Sequence, residues 1–152
     1  MSVEVDISIP CKSWRRALPR AGALARRAAA AALAEARHKG AAELSLMLTN
    51  DATVAALNAK YRGRKGPTNV LSFPAAPPLL GDVVIAYGTV AREARAQNKR
   101  LADHFAHLVV HGTLHLLGHD HMRRADARRM EKLEVAALFR LGIPDPYNGD
   151  AR

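Results

Sequence analysis

His111-Gly112-Thr113-Leu114-His115-Leu116-Leu117-Gly118-His119-Asp120-His121 is the stretch that decides how this chain reads. His111 and His115 stand four residues apart, which on a helix stacks two side chains on one face, a turn apart. Two neutral imidazoles so placed grip one metal ion from the same side. Gly118 offers the helix an end, because glycine accepts the left-handed conformation common at helix C-termini. The chain then turns back and His121 closes as a third ligand. Three protein ligands leave one coordination position open, the arrangement of a catalytic rather than a structural zinc. One histidine on an apolar helix is ordinarily a packed residue; three at this spacing around a glycine are not explained by packing.

The spacing His-x3-His-x5-His matches the ligand pattern of the long zinc-protease motif. The proteases carry glutamate directly after the first histidine, as general base. Gly112 occupies that position here and has no side chain to take a proton. The residues describe a metal hydrolase without the peptidase's base. His119 is also four residues from His115, but Gly118 breaks the helix before it, which keeps it out of the ligand set.

Outward from this stretch, the chain reads as alternating strands and helices. Asp103 is the expected cap of the metal helix, which runs to about Leu117 with His104, His107, His111 and His115 on one broad face. His104 and His107 read as structural, or as groups supporting the site. Downstream, Met130, Leu133, Ala137 and Leu141 mark the buried stripe of a last helix from about Asp126 to Leu141, stopped by Gly142 and Pro144. The tail from about 145 to 152 is expected to be loosely held. Upstream, Val3, Val5, Ile7 and Ile9 alternate with Glu4, Asp6 and Ser8 as in a half-buried strand. Trp14 to Arg20 carries no clear pattern. Ala21 to His38 is a helix on propensity, and Glu43 to Thr49 a second strand. Asn50-Asp51 supplies a cap for a helix through Tyr61. Asn69 to Phe73 and Gly81 to Tyr87 are the third and fourth strands, and Thr89 is the expected cap of a helix through Lys99.

Between the third helix and the third strand lies a glycine-bounded loop with Lys60, Arg62, Arg64 and Lys65 and no acid. A solvated loop would explain it. Four clustered cations at a helix-to-loop junction also make phosphate contact a natural reading. The chain as a whole has 152 residues, 49% of them hydrophobic, and a net charge of +9. That fits one domain with a real core and favours an anionic partner, nucleic acid first. Cys11 is the sole cysteine, so no internal disulfide and no cysteine metal site can form. The stretch from Phe105 to His119 is too short and too rich in histidine for a membrane span.

Three blocks together resemble the YbeY family of metal-dependent endoribonucleases: HGTLHLLGHDH from His111, LNAKYRGRKGPTNVLSFP from Leu57, and LGDVVI from Leu80. The resemblance extends from about Leu44 to Tyr147 and includes Met130 and Glu134. It implies an α+β fold of one domain over residues 1–152: a mixed four-stranded sheet packed with helices, zincin-like, with the metal site at the end of a helix. It implies one Zn2+ held by His111, His115 and His121, a functional Arg62 facing RNA, and Lys60, Arg64 and Lys65 as further RNA contacts. Asp120 fits the family pattern and is expected to support a ligand. The activity implied is cytoplasmic ribosomal RNA maturation on the small subunit, at the 16S 3′ end and in ribosome quality control, with ribosome-assembly proteins as further partners. Two rivals stand beside it: a noncatalytic RNA-binding assembly factor with structural zinc, and a metallopeptidase, which Gly112 disfavours.

Overall fold

The computed structural model describes residues 3–147. In chain order it runs β1 (Val3–Ser8), α1 (Lys12–Ala17), α2 (Ala21–Glu35), β2 (Ala42–Thr49), α3 (Asp51–Arg62), β3 (Val70–Pro74), β4 (Leu79–Ala86), α4 (Tyr87–Ala96), α5 (Leu101–Leu116) and α6 (Arg124–Arg140). The strands form one sheet in the order β1-β2-β4-β3. β1, β2 and β4 run parallel, and β3 returns antiparallel at the edge. The sheet is therefore mixed, and the chain is a single α+β domain, as expected.

The alternation in β1 is physical: Val5 is buried while Glu4 and Asp6 face water. Leu44, Leu46 and Leu48 of β2 point to the same face and pack under α2 and α5. Helix α2 contributes Ala25, Ala28, Ala29 and Ala32, all with no exposed surface, so its backbone lies close against the core. The opposite face carries a smaller cluster of Val54, Leu71, Val84 and Ala86, covered by α3. Burying each valine or leucine of these clusters contributes about 1.5–3 kcal/mol.

The segment without a clear pattern, Trp14 onward, forms the short helix α1. Trp14 is fully buried between Tyr87 and Phe105, and its indole N–H donates to the Thr49 carbonyl at 3.0 Å. Two expected caps are corrected. Helix α4 begins at Tyr87, before Thr89, and the Thr89 N–H is held by the Asp51 carboxylate from α3 at 2.9 Å. Helix α5 begins at Leu101, so Asp103 lies inside its first turn beside Arg100. Asn50 caps α3 as expected, accepting from the Thr53 N–H at 2.8 Å. No helix among the described residues is long and apolar enough to cross a membrane.

Candidate metal centre

Helix α5 runs beneath the β3–β4 edge and delivers His111 and His115 to the groove there. Its end is built by Gly118 at φ 96°, with the His119 N–H on the Leu114 carbonyl at 3.1 Å and the Gly118 N–H on the His115 carbonyl at 3.0 Å. These are the two bonds of a Schellman turn, and they reverse the chain. His121 thereby returns to the first two histidines. One ring nitrogen from each of His111, His115 and His121 lies within 4.8 Å of the others, and the cluster has no fourth member among the described residues. His119 is outside it.

The ring states suit a metal. The His115 pKa falls to about 4, first because burial disfavours its charged form and then through His111, His121 and Arg62 nearby. It is neutral, with a lone pair to donate, at physiological pH. His111 is fixed by Glu134, whose carboxylate takes the Nδ1 hydrogen bond. That leaves His111 Nε2 as the donor facing the cluster.

Glu134 is the functional residue that sequence reasoning placed in the family pattern without assigning it a role. It has no exposed surface, on the inner face of α6. Its partners are His111 Nδ1, His107 Nε2 at 3.4 Å, and the Tyr147 hydroxyl. Burial alone would raise its pKa, but the hydrogen bonds from His107 and His111 outweigh it, and the value falls to about 2. The Tyr147 pKa is pushed up, by burial and then by the adjacent Glu134, so its hydroxyl keeps the proton it donates. Tyr147 lies within the tail expected to be loose, yet it reaches Glu134, and the neighbouring Pro146 carbonyl accepts from Lys99 at 2.9 Å. Residues 148–152 of that tail lie outside the described residues. Glu134 had one signal in the sequence: it falls on the stripe of Met130, Ala137 and Leu138, where a charge needs a partner.

Asp120 lies close enough to His115 for its charge to act on that ring. Its carboxylate accepts from the Met122 N–H in its own loop, and no histidine is hydrogen-bonded to it. His104 binds Glu93 at 2.9 Å, away from the cluster.

Gly112 has a steric reason. A Cβ there would meet Val83 Cγ1 at 2.8 Å and Ser72 Oγ at 3.2 Å, because α5 passes directly under β3 and β4. The position that carries the protease base faces the sheet here and takes a side chain only if its neighbours shift.

The three clustered histidines open into a groove of about 960 Å³. Arg62, Arg64 and Lys65 line it, as do Glu131 and Glu134, whereas Lys60 does not, its ammonium lying 5.1 Å from the Tyr61 ring centre. Arg62 is the last residue of α3, which Gly63 ends at φ 63°. Its guanidinium donates to the Ser72 carbonyl at 2.7 Å and lies 5.7 Å from the Phe73 ring centre. One arm of the fork is thus anchored while the side chain borders the groove.

A mixed α+β domain that opens three histidines onto a cation-lined groove defines a class: a metal-site hydrolase for an anionic substrate. Comparison with known proteins narrows this. The family model described as Endoribonuclease YbeY matches residues 9–142. An endoribonuclease YbeY from Paramagnetospirillum magneticum is 51% identical, with 97% of each chain covered. One from Parvibaculum lavamentivorans is 56% identical over 82% of this chain and 76% of its own. The solution structure of TM1509 from Thermotoga maritima superposes with a TM-score of 0.58 at 20% identity, covering 92% of this chain and 91% of that one, and shares the fold. The chain belongs to the endoribonuclease YbeY family.

Proposed function

We propose that the chain is a zinc-dependent endoribonuclease that cleaves ribosomal RNA precursors in the cytoplasm, acting at the 16S 3′ end and in quality control of the small subunit. The observation that carries this reading is the convergence of His111, His115 and His121 on a groove that Arg62 also lines, in a chain of an endoribonuclease family. The donor set fits zinc: three imidazoles, one of them tied through Nδ1 to a buried carboxylate. When bound, the ion supplies Lewis acidity toward water or a phosphate oxygen.

The chain's own groups do the rest. Glu134 holds the His111 ring in one tautomer and one orientation. Its carboxylate has no exposed surface and is taken up by His111, His107 and Tyr147. Arg62, anchored on Ser72, presents a planar set of N–H donors that steadies the charge growing on the phosphate oxygens. Arg64 and Lys65 hold flanking phosphates by diffuse positive charge.

The peptidase reading is disfavoured by the filled space around Gly112. The assembly factor with a structural zinc requires a fourth protein ligand. Cleavage of defined ribosomal RNA precursors by metal-loaded protein tests the proposal. Wild type should cut and His115→Ala should not; equal cutting by both would sink it.

A further inference from the structure

We propose that the outer edge of β3 is a nucleobase subsite, in which the backbone N–H and C=O of Val70 and the N–H of Ser72 hold the Watson–Crick edge of one unpaired nucleotide. This rests on the reading of the groove as the RNA site. β3 ends the sheet, so one of its sides has no strand beside it. The register fixes which groups face that side. Asn69 accepts from the Ala86 N–H at 3.0 Å, and the Ala75 N–H donates to Leu80 at 3.0 Å. Between them the pairing runs unshifted from Val70 opposite Ile85 to Pro74 opposite Gly81. In an antiparallel pair only alternate residues exchange both backbone bonds. Leu71 and Phe73 therefore turn theirs to Val84 and Asp82, and Val70 and Ser72 turn theirs outward. The Ser72 carbonyl bears this out, since it accepts Arg62 from outside the sheet. The Val70 N–H, the Val70 C=O and the Ser72 N–H have no hydrogen-bond partner among the described residues.

These groups face the groove of the metal histidines. Leu71 also lines that groove, although its side chain is buried on the opposite face with Val54 and Val84. It touches the groove through its backbone, so this wall is strand backbone. An open strand edge ordinarily invites another strand. Here Arg62, Arg64 and Lys65 border the same space, which selects an anionic chain instead. The outward carbonyl of Val70 repels a phosphate oxygen, so the phosphates belong to the cations and the edge is left for a base. A nucleobase offers hydrogen-bond donors and acceptors side by side on its Watson–Crick edge, free only when the base is unpaired.

Val70→Pro tests this. Proline removes one outward N–H and is tolerated where a strand's N–H faces away from its neighbour. Val70→Ala, which keeps the N–H, is the control. Each zinc-loaded protein is given a short oligoribonucleotide that wild type cuts, and versions with one abasic residue at successive positions around the cut. One abasic position should lower the wild-type kcat/KM on the order of tenfold. Val70→Pro should lose a similar factor on intact RNA and be indifferent to that position, while Val70→Ala keeps the discrimination. Full discrimination by Val70→Pro, or wild type indifferent to every abasic position, overturns the proposal. If Val70→Pro does not fold, amide shifts of zinc-loaded wild type titrated with AMP, CMP, GMP and UMP decide. The Val70 and Ser72 amides must move with at least one nucleotide. Amides unmoved by all four, or moved only by a short extended peptide, overturn it. Failure of the RNA reading is a separate outcome, in which zinc-loaded wild type cuts no RNA.

Discussion

Glu134 shows how far one side chain can govern a site it does not enter. A carboxylate with no exposed surface is tolerated only when its charge is matched, and its two oxygens serve His111, His107 and Tyr147. Glutamine has a single acceptor oxygen and no charge. Glu134→Gln should therefore weaken zinc binding about tenfold to a hundredfold in competition with a chelator; unchanged affinity would reduce Glu134 to a packing role. Among the proposed ligands, alanine at His111, His115 or His121 should lower metal content sharply, while His119→Ala should not. Loss in His119→Ala with full occupancy in His121→Ala would reverse the choice of third ligand. Arg62 is tested by Arg62→Lys, which keeps the charge and loses the fork. It should retain metal, fold and most RNA affinity, yet cleave on the order of a hundredfold more slowly in single turnovers at saturating RNA. A wild-type rate under those conditions would make Arg62 a binding residue. The histidines were legible because a helix and a turn bring them together locally. The role of Glu134, a residue the resemblance included, was not, because His111 lies on α5 and only the packing of α6 against α5 joins them.

At the scale of elements, the site depends on α5 lying flush beneath β3 and β4. Gly112 permits that approach, with Val83 and Ser72 occupying the space a side chain would need. Gly112→Ala must push α5 outward or distort its neighbours, a cost of about 1–3 kcal/mol. Its melting temperature should fall, and its zinc affinity with it, since His111 is the adjacent residue; an unchanged melt would show that the contact yields freely. The elements themselves were largely readable. Strands β1 and β2 followed from alternation, α2 from its alanines, and the end of α5 from Gly118. That the four strands form one mixed sheet was read through the family resemblance rather than from residues, and their order was not read at all, because pairing of β2 with β4 spans the chain between them. α1 was missed because six residues with one large side chain carry no periodicity, and only the buried Trp14 explains it. The caps of α4 and α5 were misplaced for a related reason. Asp51 reaches Thr89 from another helix, and local sequence does not report a cap delivered through space.

The whole molecule carries a charge of +9, but of its lysines and arginines only Arg62, Arg64 and Lys65 line the groove among the described residues, where Glu131 and Glu134 line it too. Three phosphate contacts to a single strand imply that log affinity falls with log salt at a slope of about −2, and Arg64→Ala should lessen that slope by about 0.7. A flat salt dependence would remove the electrostatic part of the case. Acidity acts on stability in a definite direction. His115 titrates at 6.5 in the unfolded chain and at about 4 in the folded one. Between these values the unfolded chain binds the extra proton, so stability present above pH 6.5 drains away as pH falls toward 4. Glu134 continues the trend lower down: its carboxylate titrates at 4.5 when unfolded and about 2 when folded, so its contribution is present above 4.5 and lost on the way to 2. The metal-free protein should therefore melt at progressively lower temperature from pH 7 to pH 4. His115→Phe, which cannot titrate, should flatten that upper part of the profile and leave the steeper loss below pH 4.5. Zinc should raise the neutral end most, because its ligands must be deprotonated to bind it. Melting curves of the metal-free protein, the zinc-loaded protein and His115→Phe across this range check all three statements. A metal-free profile equally steep with and without His115 would show that the acid sensitivity arises elsewhere, in His104, whose pKa burial also lowers, or in the general repulsion of a chain already this basic.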